Sequence, residues 1–468
     1  MNDARIALRN LLRNRRRSLT TLAAMTIGAV TILVFGGYSR NILYGLETQT
    51  VQRIGHLQIQ QRGYFRYGTG NPGAYGIAGY EEVLAALQRD PILAPMLRVA
   101  TPTLTLGGIA GNFAAGASRT VYGGGAIVED QARMREWNDY GLASDRQTLA
   151  LNGTSADAVV IGQGVARTLR LCEPFHVPDC PQEESSAASG VATPADVADL
   201  ASTEASMQGA RTPPSARDAA ARIELLAANA HGAPNVASLA VVRAENQGVK
   251  ELDDMYVGMH LRQAQRLVYG GDAPRATAIV LQLAHTAQVP AARQRIEQLL
   301  ATLPAGRRLE VLDFVTLNPF FKQVTAMFSA IFGFISVLIG AIVLFTVGNT
   351  MTMAVVERTT EIGTLRAIGL RRRGIRRLFV REGLLLGVIG AAVGVLAALV
   401  VAWAVNHSGL TWAPPGQAGR IPLTVRIWGE TALITGTVAM LVGVAAISAW
   451  WPARRAAHMN IVDALRHV

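Results

Sequence analysis

The stretch VTAMFSAIFGFISVLIGAIVLFTVGNTMTMAVV, Val324 to Val356, runs for 33 residues without a charged side chain. A helix needs about 20 apolar residues to cross a hydrocarbon core of ~30 Å. This one would be about 50 Å long at 1.5 Å per residue, so it predicts a span with a stalk protruding beyond it. Three more uncharged runs are long enough to cross: Leu19 to Tyr38, Leu384 to Val405 and Thr431 to Trp451. Hydrophobic residues make up 50% of the 468 and charged residues 16%, against roughly 25% charged in ordinary soluble chains. A mean hydropathy of +0.25 is too low for a chain wholly in lipid and too high for a soluble one. Membrane spans plus a sizeable aqueous portion are expected, and a purely soluble protein is excluded.

The net charge of +11 is carried almost entirely by arginine, since only Lys250 and Lys322 are lysines. Seventeen arginines sit in three segments: before the first run, between the second and third, and after the fourth. Those segments hold five acidic residues. The positive-inside rule assigns all three to the cytoplasm. A nucleic-acid surface would interleave basic residues with aromatics on a folded face, whereas these hug the ends of spans, so no nucleic-acid partner is expected. The first run exceeds the 7–15 apolar residues of a signal-peptide core and no A-x-A site follows, so it reads as an uncleaved anchor.

The segment between the first and second runs then lies across the membrane. Leu57 and Ile59 alternate with polar neighbours as in a half-buried strand, and Tyr80 to Leu87 has helical spacing. Strands are expected at Ala158–Ile161, Thr277–Leu283 and Leu309–Val315, a hairpin around Ile223 to Val242, and a helix over Pro290 to Leu303. Residues 172–221 are rich in Ser, Ala, Pro, Glu and Thr and read as a mobile insertion. Cys172 and Cys180 are the only cysteines. A disulfide would suit an oxidising compartment, and spacing alone leaves paired and unpaired thiols open.

No H-E-x-x-H, G-x-S-x-G, C-x-x-C or His/Cys cluster occurs, and neither lysine lies in a G-x-x-x-x-G-K-[ST] phosphate loop. No catalytic residue, metal or cofactor is therefore expected in this chain. Gly162-Gln163-Gly164 is half of a dinucleotide fingerprint and reads better as a tight strand-to-helix turn.

The informative residues face the cytoplasm. Ala4 to Leu12 has the stripes of a helix lying on the membrane surface. EIGTLRAIGL, Glu361 to Leu370, places Ile362, Leu365, Ile368 and Gly369 on one helical face. That stripe is too small for a core, so it suits a partner's groove or, alternatively, the headgroups. Gly383, Gly387, Gly390 and Gly394 form a small-residue stripe that permits close helix approach, within the bundle or between two copies. The spans hold no Asp, Glu or Lys in their interiors, which argues for a lever rather than a pore or proton-driven carrier.

These residues resemble the MacB/FtsX-like (type VII) ABC transporter permeases. The resemblance rests on ERTTEIGTLRAIGLRRRGIRRLFVREGLLLGVIGAAVG, Glu357 to Gly394, on WWPARRAAHMNIVDALRHV, Trp450 to Val468, and on the opening ALRNLLRNRRRSLTT. The tail departs from the family pattern at Asn460-Ile461, where a proline is usual. IGHLQIQQRGYF, Ile54 to Phe65, and LDDMYVGMHLRQAQRLV, Leu252 to Val268, are similar to the lipoprotein-releasing LolC/LolE branch.

The resemblance implies an α-helical membrane protein with four transmembrane helices (1 + 3) and a large extracytoplasmic α+β domain, porter-like plus an inserted β-rich subdomain, between helices 1 and 2. The organisation would be a cytoplasmic amphipathic helix (1–18), helix 1 (19–38), a periplasmic domain (39–323), helix 2 with its stalk (324–356), a coupling-helix loop (357–382), helix 3 (383–405), an outer loop (406–430), helix 4 (431–451) and a tail (452–468). Residues Glu361, Ile362, Gly363, Leu365, Arg366, Ala367, Ile368 and Gly369 would couple to a separate ABC ATPase, two copies per complex, which would bind the ATP and Mg. A second permease, a periplasmic adaptor or lipoprotein chaperone, and membrane lipid would be the other partners, in the bacterial inner membrane. The implied function is lipoprotein release. The alternatives are MacB-like efflux of a peptide or drug and FtsX-like signalling to an envelope enzyme.

Overall fold

A computed structural model describes residues 15–142, 149–178, 180, 222–412 and 420–459. The surface helix expected over Ala4–Leu12, most of the 172–221 insertion and the tail beyond Met459 lie outside the described residues. The chain divides into two compact units. One holds residues up to Glu47, Pro319–Trp412 and Arg420 onward, and the other runs over Thr48–Asn318.

The first unit is helical. Its members are α1 (Arg15–Ile54, whose last residues belong to the second unit), α2 (Pro319–Glu357), α3 (Thr359–Ala367), α4 (Arg372–His407) and α5 (Thr431–His458). All but α3 are long and apolar enough to cross a membrane. Each of those four exceeds its uncharged run at one or both ends, because charged flanks with good helix formers continue the hydrogen-bond ladder without needing lipid. Helix α1 is the largest correction: it continues sixteen residues past Tyr38. The bundle core is built from Met25, Val343, Val347, Leu386, Leu441 and small alanines. Helix α2 is the least buried of the four over its apolar span, leaving Phe334, Val337 and Phe345 outward.

The second unit is built on one nine-stranded sheet: β1 (Leu57–Gln61), β2 (Leu97–Asn112), β3 (Ala117–Ala126), β4 (Ala158–Gly162), β5 (Arg222–Ala228), β6 (Pro234–Glu245), β7 (Tyr256–His260), β8 (Ala278–Leu283) and β9 (Leu309–Asp313). The order is β9-β1-β8-β2-β3-β7-β4-β6-β5, and β5 also pairs with β2 through Gly108–Gly111. That pairing closes β2-β3-β7-β4-β6-β5 into a barrel. Its interior takes Leu104, Val121, Ile161, Leu225, Leu239 and Val257. Strand β5 shows the period-2 logic, with Ile223, Leu225 and Ala227 buried and Glu224 and Leu226 outside. The remaining strands make an antiparallel layer on which helices Tyr80–Arg89 and Val289–Thr302 pack through Val83, Leu87, Ile296 and Leu300. The two subdomains expected from the sequence are thus joined by one strand, since the 16-residue β2 pairs with β8 at its start and with β5 near its end.

Expected and observed elements agree in place for Ala158–Gly162, the Ile223–Val242 hairpin, Ala278–Leu283 and Val289–Thr302. The strand expected over Leu309–Val315 stops at Asp313. The Asp313 carboxylate accepts from the Thr316 N–H at 2.7 Å, capping a helical turn over Phe314–Leu317. Gly162 and Gly164 are required sterically: a Cβ on Gly162 would strike the Asp253 carbonyl, and one on Gly164 the Asp254 side chain and backbone. The strand-to-helix turn, not a nucleotide site, explains both. Cys172 and Cys180 are joined as a disulfide.

His56 is fully buried between the rings of Trp137 and Phe314. The Leu283 N–H donates to its Nδ1 at 3.0 Å, which leaves the proton on Nε2, 3.2 Å from Thr286 Oγ1. Burial pushes the imidazole down from 6.5 to about 4. Because the folded value lies below the unfolded one, stability is full above pH 6.5 and is lost as pH falls toward 4. The loss should be ~3 kcal/mol, at ~1.4 kcal/mol per unit. Thermal unfolding between pH 7 and 4.5 should show this fall, and His56→Gln should flatten part of it. Equal pH dependence in both proteins would contradict the assignment.

Candidate functional site

Helix α3 follows α2 after a single intervening residue, Arg358, and occupies the short arginine-rich connection before α4. Glu361 lies in its first turn, where a carboxylate complements the positive helix end. Its other end is a Schellman stop: the Gly369 N–H donates to the Arg366 carbonyl at 3.1 Å and the Leu370 N–H to the Leu365 carbonyl at 3.0 Å. Gly369 has φ +105°, a conformation that a β-carbon would strain.

The apolar stripe expected on one face divides in two. Ile362 is buried among Val355, Ile375, Phe379, Ala453 and Ala456, and Gly363 is buried with it. Leu365 is 40% exposed and Ile368 80% exposed. Ala367 and Gly369 are exposed as well. Arg366 turns inward: its Nη1 donates to the Met459 carbonyl at 2.6 Å, satisfying a backbone acceptor at the end of α5. A charge reversal at Arg366 would therefore disturb the bundle itself, and Leu365 with Ile368 form the apolar surface left for a partner.

Arg358 and Glu382 underpin this helix. They are 5% and 4% exposed, and Arg358 Nη1 donates to Glu382 Oε2 at 3.3 Å. The pair ties the residue before α3 to α4 in surroundings where neither charge is hydrated. Sequence reasoning missed the pairing. The available signal was two opposite charges abutting apolar runs, one on each side of the same short connection.

The four glycines of α4 are used inside the chain. A Cβ on Gly383 would strike Ala449, and one on Gly387 would lie 3.0 Å from the Ala445 Cβ, both on α5. Gly390 and Gly394 meet α1 instead, at Met25 and Ala29. The stripe thus seats α4 against two helices of its own bundle, half against each. On the other side of the bundle, Glu430 receives Arg40 at 3.4 Å and Arg426 at 3.6 Å, holding the loop before α5 to α1. Among the described residues no group of His, Cys, Asp or Glu could hold a metal ion.

Residues 326–461, which contain α3, its supports and the glycine stripe, match the family model for the FtsX-like permease C-terminal region. Over that stretch the chain carries an FtsX-like permease C-terminal domain. It is 39% identical over 137 residues to the ABC transporter permease YtrF of Bacillus subtilis, covering 29% of this chain and 30% of the relative. It is 31% identical over 189 residues to the macrolide export ATP-binding/permease protein MacB of Rhodopirellula baltica, covering 38% and 25%. Against the pyoverdine export ATP-binding/permease protein PvdT of Pseudomonas fluorescens, identity is 30% over 233 residues, covering 48% and 31%. The matched stretches thus span less than a third of these relatives' own lengths. The matched residues take in most of α2 and all of α3, α4 and α5, whereas α1 lies outside them.

Proposed function

We propose that the chain is the permease subunit of an ABC transporter, and that a separate ATPase docks on Leu365 and Ile368 of α3. The observation that carries this is the divided helix. One face is anchored by Ile362 and Arg366, while two apolar side chains stand in the open. Exposed apolar residues on a short, firmly held helix suit insertion into a partner's groove. ATP and Mg belong to that partner, because the chain has no phosphate loop of its own. Two ATPases would act on two permeases in the bacterial inner membrane, with Thr48–Asn318 in the periplasm.

The outer task is release of lipoproteins from that membrane, a reading supported by the resemblance of Ile54–Phe65 and Leu252–Val268 to the LolC/LolE branch, with a lipoprotein chaperone as receiving partner. A second reading, export with a periplasmic adaptor, is favoured by the relatives named for macrolide and pyoverdine export. In either case α2, 39 residues and about 58 Å long, would act as a stiff rod carrying motion outward.

The test separates hydrolysis from outer work. The chain alone should hydrolyse no ATP and should co-purify with a Walker-motif ATPase. Four glycines inserted after Lys322 would each cost ~1 kcal/mol of helix stability and turn the rod into a hinge. ATP hydrolysis by the complex should stay within about threefold of normal while release or export is lost. Full outer activity in that variant would refute the lever.

A further inference from the structure

The arginines of α4 and α5 outside the α3 supports have no part in the proposed docking, and they lie level with one another. Gly387 opposes Ala445, and Arg372 Nη1 lies 3.5 Å from His458 Nδ1, which fixes the antiparallel register of the two helices. The same register brings Arg376 and Arg377 to the height of Arg455 and Arg454, and all four are exposed. Arg454 lies over the Trp450 ring at 5.6 Å and Arg455 over the Trp451 ring at 3.9 Å. Both indoles are about half exposed. The only acidic residue on either helix is Glu382, buried against Arg358.

One to two turns further along the same helices, Leu384, Val388 and Ile447 are exposed and apolar. Guanidinium groups, then indoles, then open apolar surface is the order in which a phospholipid presents phosphate, interface and acyl chain. An acidic protein surface would complement the arginines but would leave the apolar surface beneath them uncovered.

We infer that Arg376, Arg377, Arg454 and Arg455, with Trp450 and Trp451, bind the headgroup of an anionic phospholipid. The inference needs only that α4 and α5 cross a membrane, so it stands or falls separately from ATPase docking. The full chain, purified in detergent and delipidated, is titrated with phosphatidylglycerol or phosphatidylcholine, and bound lipid is counted by native mass spectrometry. Wild type should prefer phosphatidylglycerol by about tenfold, less at high salt. Changing all four arginines to glutamine should bring the preference to within about twofold, and changing them to lysine should keep most of it. If the fourfold glutamine variant does not fold, R376Q/R377Q and R454Q/R455Q are measured separately, and each should lower the preference about threefold. Wild type without preference, or glutamine variants that keep it, would overturn the inference. So would glutamine variants that lose only their ATPase association.

Discussion

A Glu382→Leu variant should lose about 3–5 kcal/mol of stability, because it strands the buried Arg358 guanidinium without its counter-charge. Such a group cannot recover hydration where it sits, at 5% exposure. The double variant Arg358→Met with Glu382→Leu removes both charges and fills the space with apolar atoms. It should recover most of the loss, since an ion pair replaced whole is often neutral in stability. Thermal unfolding of the two variants in one detergent decides the matter. A single variant as stable as the double would show that the pair is hydrated and does not hold α3. The double variant should also show weaker ATPase coupling than its stability suggests, because the strut between the start of α3 and α4 is gone.

The second large effect concerns the glycine stripe. Gly394→Ala should destabilise the bundle by about 1–3 kcal/mol, the usual cost of forcing extra volume into a close-packed contact. The new methyl would strike the Ala29 Cβ and press on Thr26 Cα and its carbonyl, both at 3.4 Å. Backbone atoms of this kind cannot rotate aside. Adding Ala29→Gly should relieve most of the strain by vacating the point of collision. Gly340→Ala is the control, since nothing lies within 4 Å of its would-be Cβ. It should be neutral or stabilising by up to ~1 kcal/mol through helix propensity. Similar losses at Gly394 and Gly340 would mean that α4 and α1 are not packed as described.

The spans were legible because length and charge are one-dimensional signals: an uncharged run and its arginine flanks need no tertiary knowledge. The same holds for strands such as Ile223–Ala227, whose alternation is written in single residues. Strands β2 and β3 were not anticipated. TPTLTLGGIAG and VYGGGA hold six glycines, which break the alternation that marks strands, because close backbone approach replaces side-chain packing there. A Cβ on Gly124 would lie 3.2 Å from Thr105 Cα, and one on Gly125 2.8 Å from Leu261 Cα. The closure of the barrel through β2 and β5 depends on residues more than a hundred positions apart, which no local pattern encodes.

At the candidate site, helical spacing located α3 but treated Ile362, Leu365, Ile368 and Gly369 as one surface. Which of them is covered depends on α5, nearly a hundred residues downstream, whose alanines receive Ile362. The inward turn of Arg366 was hidden for the same reason, since its partner is a backbone carbonyl and carries no side-chain signature.

The central claim is that Leu365 and Ile368 are where the ATPase docks. Both side chains are exposed, so Leu365→Asp with Ile368→Asp should leave the unfolding temperature of the purified chain within a few degrees of wild type. Desolvating two carboxylates in an apolar groove is costly. Association with the Walker-motif ATPase expected to co-purify with the wild-type chain, measured by quantitative co-purification, should therefore fall at least about tenfold. Wild-type association in that variant, with its fold intact, would contradict the docking of the ATPase on α3.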